Sequence, residues 1–308
     1  MSRRPKVTEK SAAAVLQYHF QKKPKKIREL HGGLVNFVFE AEVEKDRLIV
    51  RISEEPAKLQ VYLKEQWAVG KAREKGVPTP DILEVSTEAI GMPYMVSRKN
   101  VGKAAHLYPN RIDICRQMGR YAAIINSIPT SDFGEVFDWS RNKLSRKKTW
   151  TEYLQKELNG SGRIEFFEKE KLISKAAAIK LKAQLVRANR LTNKPSLNHG
   201  DIRLKNVLLD EKGQVSVILD WEECTSNLAP WWELSIALHD LGIDEKEALL
   251  QGYGISFEEF SAMVPTVKLL NILNYWTAIS EAHRAKDKKR LESLALRLSG
   301  ALDLFSIG

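Results

Sequence analysis

The segment His199-Gly200-Asp201-Ile202-Arg203-Leu204-Lys205-Asn206 is followed, a short interval later, by Ile218-Leu219-Asp220-Trp221-Glu222. It sets out an Asp, an Asn five positions on, and a second Asp after one strand–turn–strand length. Phosphoryl transfer from a nucleotide needs that inventory. One carboxylate orients an attacking hydroxyl and accepts its proton, while an amide oxygen and a second carboxylate hold Mg²⁺ against the phosphates.

The elements that must position these groups are readable nearby. Val207-Leu208-Leu209 is a short apolar strand, and Val215-Ser216-Val217-Ile218-Leu219 is a second, β-branched one. Asp210-Glu211-Lys212-Gly213 has Asp first and Gly last, the preference of a type I turn. A hairpin is therefore predicted from Asn206 to Asp220. Because a hairpin returns the chain to its start, it brings these two hard oxygen donors together, as a shared Mg²⁺ requires.

The set His199-Gly200-Asp201, Asn206 and Asp220-Trp221 resembles the aminoglycoside phosphotransferase and choline kinase superfamily of kinase-like enzymes. Many members carry His-Gly-Asp, four residues, Asn, and then a hydrophobic strand ending in Asp-Trp or Asp-Phe. The resemblance implies that Asp201 is the catalytic base and that Asn206 and Asp220 are magnesium ligands. Arg203 stands where protein kinases have Lys and many aminoglycoside-type enzymes have His. A cation there can stabilise the transferring phosphoryl group, or it can balance charge against Asp201 or Glu222. Lys205 is expected to point to solvent or backbone.

Other kinase parts lie upstream. Phe37, Phe39, Ala41 and Val43 alternate with Val38, Glu40 and Glu42, as in a half-buried strand, and Leu48-Ile49-Val50-Arg51-Ile52 forms the next. Ahead of them, His31-Gly32-Gly33-Leu34-Val35-Asn36 matches the family's nucleotide-covering loop, with Gly33 and Asn36 as contacts; a plain hairpin turn is the alternative. The resemblance makes Arg51 the phosphate-pairing cation and Glu65, on a helix over residues 57–75, its partner. Glu54, Glu55 and Glu74 compete for that second role. Pro93-Tyr94-Met95-Val96-Ser97 resembles the strand into the hinge, where backbone groups from Met95 through Ser97 to Arg98 would bind the purine of ATP or GTP.

The resemblance implies an α+β, two-lobed, protein-kinase-like fold. A small, mainly β nucleotide-binding lobe would span residues 1–97, and a larger, mainly helical lobe would span 98–308, with a hinge at 95–100. Helices are expected over 111–127, 168–188, 232–240, 246–251, 257–263, 267–285 and 288–304. Two departures disfavour a protein kinase. Gly200 replaces the Arg that pairs with a phosphorylated activation loop, and only Trp221 to Pro230 separates Asp220 from the next helix. Glu233 stands where the family has an Asp shortly after Pro.

Length and composition fit one such unit: 308 residues, 43% of them hydrophobic. Cys115 and Cys224 offer neither zinc spacing nor a disulfide framework. No apolar run is long enough to span a membrane, and the Ala-Ala-Ala-Val-Leu patch near the start is too short for a signal sequence, so the expectation is a soluble cytoplasmic protein. The net charge of +10 invites a nucleic-acid partner, but its distribution argues against one. Residues 201–265 hold 4 Lys and Arg against 13 Asp and Glu. The chemistry-bearing segment is thus acidic, which suits Mg²⁺ and a small, cationic hydroxylated acceptor such as an aminoglycoside or amino alcohol. A solvated acidic helix face is the alternative beyond residue 240. The basic run 141–148 reads as a solvated face, with attraction of a phosphorylated or nucleic-acid partner as the alternative. Trp221, Trp231, Trp232, Tyr275 and Trp276 are candidates for aromatic pocket walls, or for core. The expected activity is O-phosphorylation of a small molecule by ATP or GTP. The alternative is a catalytically silent nucleotide-binding module that engages a protein or nucleic-acid partner.

Overall fold

The computed structural model describes residues 7–30, 37–134 and 147–303. They divide into two compact units. One contains the described residues up to Lys103 together with Leu208–Glu222, and the other contains the rest. The sequence places a single boundary at residue 97, whereas the contacts group the hairpin segment with the first unit. Ile218 N–H donates to Pro78 O at 2.9 Å within that unit.

The first unit begins with α1 (Glu9–Phe20), β1 (Lys26–Glu29), β2 (Phe37–Val43), β3 (Asp46–Ile52), α2 (Lys58–Glu74), β4 (Ile82–Ser86) and β5 (Tyr94–Arg98). Its sheet is antiparallel, in the order β1-β2-β3-β5-β4. Side chains alternate across a strand, so Leu48, Val50 and Ile52 of β3 enter a core with Phe39, Ala41 and Val43 of β2. Ile49 and Arg51 consequently face the opposite side. The β3–β5 register sets Arg51 beside Met95 and Ile49 beside Ser97. The Ala-rich patch near the start forms α1, and its Ala12, Val15 and Leu16 close the same core.

The chain continues through β6 (Lys103–Ala104), α3 (Ile112–Asn126), α4 (Trp150–Glu152), α5 (Gly160–Lys169), α6 (Lys175–Ala188), β7 (Ser196–Asn198), β8 (Val207–Leu209), β9 (Val215–Ile218) and β10 (Thr225–Asn227). It ends with α7 (Trp231–Ala237), α8 (Ile243–Tyr253), α9 (Phe257–Asn274), α10 (Trp276–Arg284) and α11 (Lys288–Leu302). The hairpin β8–β9 forms as expected and joins β6 in a three-stranded sheet, while β7 and β10 pair antiparallel.

Several helices differ from expectation: α1 and α5 were not expected, α7 and α8 have shifted ends, and two differences are larger. Residues 168–174 do not start a helix; α5 ends there, and Ser174 caps α6 by accepting the Ala177 N–H at 3.1 Å. Pro265 does not end a helix either. It lies inside α9, whose following residues, Val267 and Lys268 to Leu273, are all buried, so packing outweighs the lost hydrogen bond. The break falls at Tyr275 instead.

The helical core contains Trp232 and Tyr275, with Trp231 and Trp276 packed against it, and Trp221 is fully buried in the first unit. These aromatics are core. Among the described residues no helix is long and apolar enough to cross a membrane.

Candidate active site

Two sets of ionisable side chains match the expected chemistry, one in each unit. In the first unit, Arg51 and Glu65 meet in a two-pronged ion pair: Nη1 to Oε1 at 3.0 Å and Nη2 to Oε2 at 3.1 Å. The pair is poorly exposed, 19% for Arg51 and 3% for Glu65. Glu65, not Glu54, Glu55 or Glu74, is the partner. The geometry is built on α2, where Lys58, Tyr62 and Glu65 share one face at i, i+4 and i+7. The Arg51 guanidinium lies over the Tyr62 ring, 5.2 Å from its centroid. Burial works to lower the Arg51 pKa, but Glu65 first, with Tyr62 and Glu222 beside it, together outweigh burial and raise the value.

Arg51, Glu65, Met95, Ser97 and Asp220 all line one cavity of about 330 Å³, together with apolar Ile49, Ile82, Leu208 and Leu219. The strand register and the hairpin thus collect five of the predicted residues. Gly33 and Asn36 lie outside the described residues, as does 141–146 of the basic run.

Asp220 holds φ at +66°, in the left-handed region that Asp tolerates better than most side chains. Trp221 fixes the following turn, with its ring fully buried and Nε1–H donating to Ile218 O at 2.8 Å.

In the second unit, Asp201 is 7% exposed and surrounded by donors. Asn206 Nδ2 donates to its backbone oxygen at 2.9 Å and to Oδ2 at 2.8 Å. Arg203 Nε pairs with Oδ1, and Lys205 Nζ lies 3.1 Å from Oδ2. Lys205, half exposed to solvent, also reaches back four residues along the chain to this carboxylate, a contact the sequence did not lead one to expect. Arg203 also approaches Asp240 at 3.6 Å. Burial pushes the Asp201 carboxyl up, but the hydrogen bonds and charges of Arg203 and Lys205 outweigh it and hold the group below the ordinary carboxylate value.

The loop carrying Asp201 is anchored from below. Glu233, fully buried on α7, accepts the backbone N–H of His199 at 2.6 Å and of Gly200 at 3.3 Å, and the Asn126 amide at 3.4 Å. Tyr253 O–H donates to Asn126 Oδ1 at 2.8 Å. His199 Nδ1 accepts the Asp201 N–H at 3.1 Å. Gly200 has φ of +77°, and a Cβ there would strike the Glu223 carbonyl, so only glycine fits. Burial, opposed by the three donors, pushes Glu233 up to about 7. Asn126 and Tyr253 carry no signal in the sequence. They arrive because α3 and α8 cross at Gly119 and Gly252, each of which would strike the other helix's backbone if it bore a Cβ.

Each unit carries a hard oxygen donor of the kind Mg²⁺ takes: in the second, Asn206 donates to Asp201 through its amide nitrogen, so its amide oxygen is not used in those bonds, and in the first, Asp220 puts a carboxylate at the cavity wall.

A small unit built on a β-sheet and a larger helical unit are the parts of a kinase-like fold. A profile of the phosphotransferase enzyme family matches residues 26–267, and the chain belongs to that family. It is accordingly a phosphotransferase-family enzyme. Its fold is shared with aminoglycoside phosphotransferase APH(4)-Ia at a TM-score of 0.70 and 14% identity, over 96% of this chain and 98% of that one. A thermostable mutant of that protein, in ternary complex with AMP-PNP and hygromycin B, aligns at 0.69 and 14% over 96% and 99%. A GDP and kanamycin complex of APH(2")-IIia aligns at 0.68 and 13% over 96% and 98%. At these identities the likeness is one of fold. No curated protein matches the chain significantly by sequence.

Proposed function

We propose that this enzyme transfers the γ-phosphoryl group of ATP or GTP to a hydroxyl of a small, cationic acceptor such as an aminoglycoside or amino alcohol, with Asp201 as the base. The observation that carries the reading is the state of Asp201. It is a buried carboxylate held ionised by Arg203 and Lys205 and oriented by Asn206, not a surface turn residue. Solved proteins of the same fold carry AMP-PNP with hygromycin B and GDP with kanamycin, which supports a nucleotide donor and a small hydroxylated acceptor.

The nucleotide sits in the cavity lined by Arg51, Met95 and Ser97. Arg51, fixed by Glu65, grips phosphate oxygens, and Met95 and Ser97, whose backbone lies within the sheet, line the place proposed for the purine. The family resemblance assigns contacts with the phosphates to Gly33 and Asn36. Asn206 and Asp220 would hold Mg²⁺, which supplies charge neutralisation for the phosphates. Asp201 receives the acceptor's hydroxyl proton as the oxygen attacks phosphorus, and Arg203 stabilises the charge spread over the transferring group. The cytoplasm, where nucleoside triphosphates are plentiful, is the proposed place of action.

The test is consumption of ATP and GTP, with Mg²⁺, against a panel of aminoglycosides, other hydroxylated antibiotics, amino alcohols and small sugars. Acceptor-dependent consumption with a phosphorylated product supports the reading and names the acceptor class. Nucleotide binding without turnover on any acceptor would count against the proposed acceptors.

A further inference from the structure

We propose that Lys58 is a second phosphate-binding cation, acting beside Arg51 on the nucleotide triphosphate; the proposal rests on the nucleotide reading of the Arg51 cavity. Lys58 lies one turn before Tyr62 on the α2 face that holds Arg51. Its place is unfavourable for the helix itself. Position 58 is in the first turn, where the helix dipole repels a cation, and the turn has neither an acidic residue nor a side-chain cap.

Lys58 Nζ reaches Glu222 Oε2 at 3.0 Å, although the side chain is only 15% exposed. The same carboxylate oxygen lies 3.7 Å from Arg51 Nη2. An ammonium and a guanidinium thus converge on one anionic oxygen, two residues after Asp220. That is the environment a phosphate oxygen needs.

The two cations are not equally committed. Arg51 spends both prongs of its fork on Glu65, so much of its charge is already offset. Among the described residues Lys58 makes one hydrogen bond, to a carboxylate that is 29% exposed. A lysine ammonium is compact, with three rotatable donors, and can turn from that carboxylate to a phosphate without moving the helix. Glu222 then serves as the internal anion that keeps the ammonium in place until the nucleotide arrives.

The alternative is that the Lys58–Glu222 pair only ties α2 to the turn after Asp220. The two differ in how the effect depends on phosphate number. The experiment measures the affinities of ATP, GTP, ADP and adenosine for the full chain in Mg²⁺ by calorimetry, for wild type, Lys58→Met and Lys58→Arg, with a thermal melt of each. Lys58→Met is expected to weaken ATP about tenfold, to weaken ADP less, and to leave adenosine unchanged, with Lys58→Arg restoring most of the loss. Unchanged ATP affinity in Lys58→Met, or equal losses for ATP and adenosine, would overturn the proposal while leaving the nucleotide site intact. A folded wild type that binds neither ATP nor GTP would instead overturn the nucleotide reading on which the proposal rests. Should Lys58→Met not fold, Lys58→Gln carries the same comparison.

Discussion

Arg51 and Asp201 are both poorly exposed ionised side chains, and their partners stand in opposite relation to them. Around Arg51, two carboxylates, Glu65 and Glu222, hold a cation. Around Asp201, two cations, Arg203 and Lys205, hold a carboxylate. The first arrangement is rigid: a planar fork meets a nearly buried carboxylate on a helix, and its value is position. The second is made by neighbours on the same short loop, one of them half exposed, and its value is the protonation state of the group it surrounds. The comparison teaches that damage to the first should appear as lost stability, and damage to the second as lost or pH-shifted turnover.

The largest effect is expected on the Arg51 side. Glu65→Ala leaves a buried guanidinium short of its main partner and should cost about 3–5 kcal/mol of stability, read from denaturant unfolding. A loss below about 1 kcal/mol, the range of exposed pairs, would erase the contrast between the two sets.

Glu233→Gln comes next. It puts an amide where a carboxylate accepts two backbone N–H groups and an Asn amide, and kcat should fall roughly ten- to hundredfold. The pH dependence sharpens the test. Glu233 has its pKa raised to about 7 from 4.5, so the folded protein binds this proton more tightly than the unfolded chain does. Its contribution to stability is therefore fully present below about pH 4.5 and lost as pH rises through about 7. Loop anchoring runs the other way, because the ionised form is the one that accepts all three donors. Wild-type activity should fall as pH drops below about 7, and this step should vanish in Glu233→Gln.

Arg203→Met removes the largest of the influences that lower the Asp201 pKa. The acid limb of kcat/KM should move to higher pH, with kcat reduced about tenfold or more from the loss of transition-state charge stabilisation. Lys205→Met should do least. The side chain is 51% exposed, and a shift of the acid limb in the same direction but smaller, with stability changed by less than about 1 kcal/mol, is expected.

Much of this arrangement was legible before the structure. Asp201, Arg203 and Asn206 lie within one loop, and the Asp210–Gly213 turn with its flanking β-branched strands made the hairpin readable. Arg51, Met95 and Ser97 came from the family resemblance and the order of its parts along the chain. What escaped were the supports that come from distant helices. Asn126 and Tyr253 meet Glu233 only because two glycine-marked helices cross, and no local pattern announces that crossing. Lys58 could have been found: it shares the 58, 62, 65 spacing with Glu65, but a lone lysine at a helix start reads as solvated. The helix through Pro265 was misjudged because the local preference for a break is overridden by burial on all sides of the segment that follows.

The central claim is that Asp201 acts on the acceptor hydroxyl and not on the nucleotide. The measurement that tests it most directly compares Asp201→Asn with wild type in two readouts, turnover with the best acceptor and affinity for Mg²⁺-nucleotide. Turnover lower by about 10²–10⁴, with nucleotide affinity nearly unchanged, is the predicted result. Retention of most of the turnover would contradict the claim and remove Asp201 from the role of base.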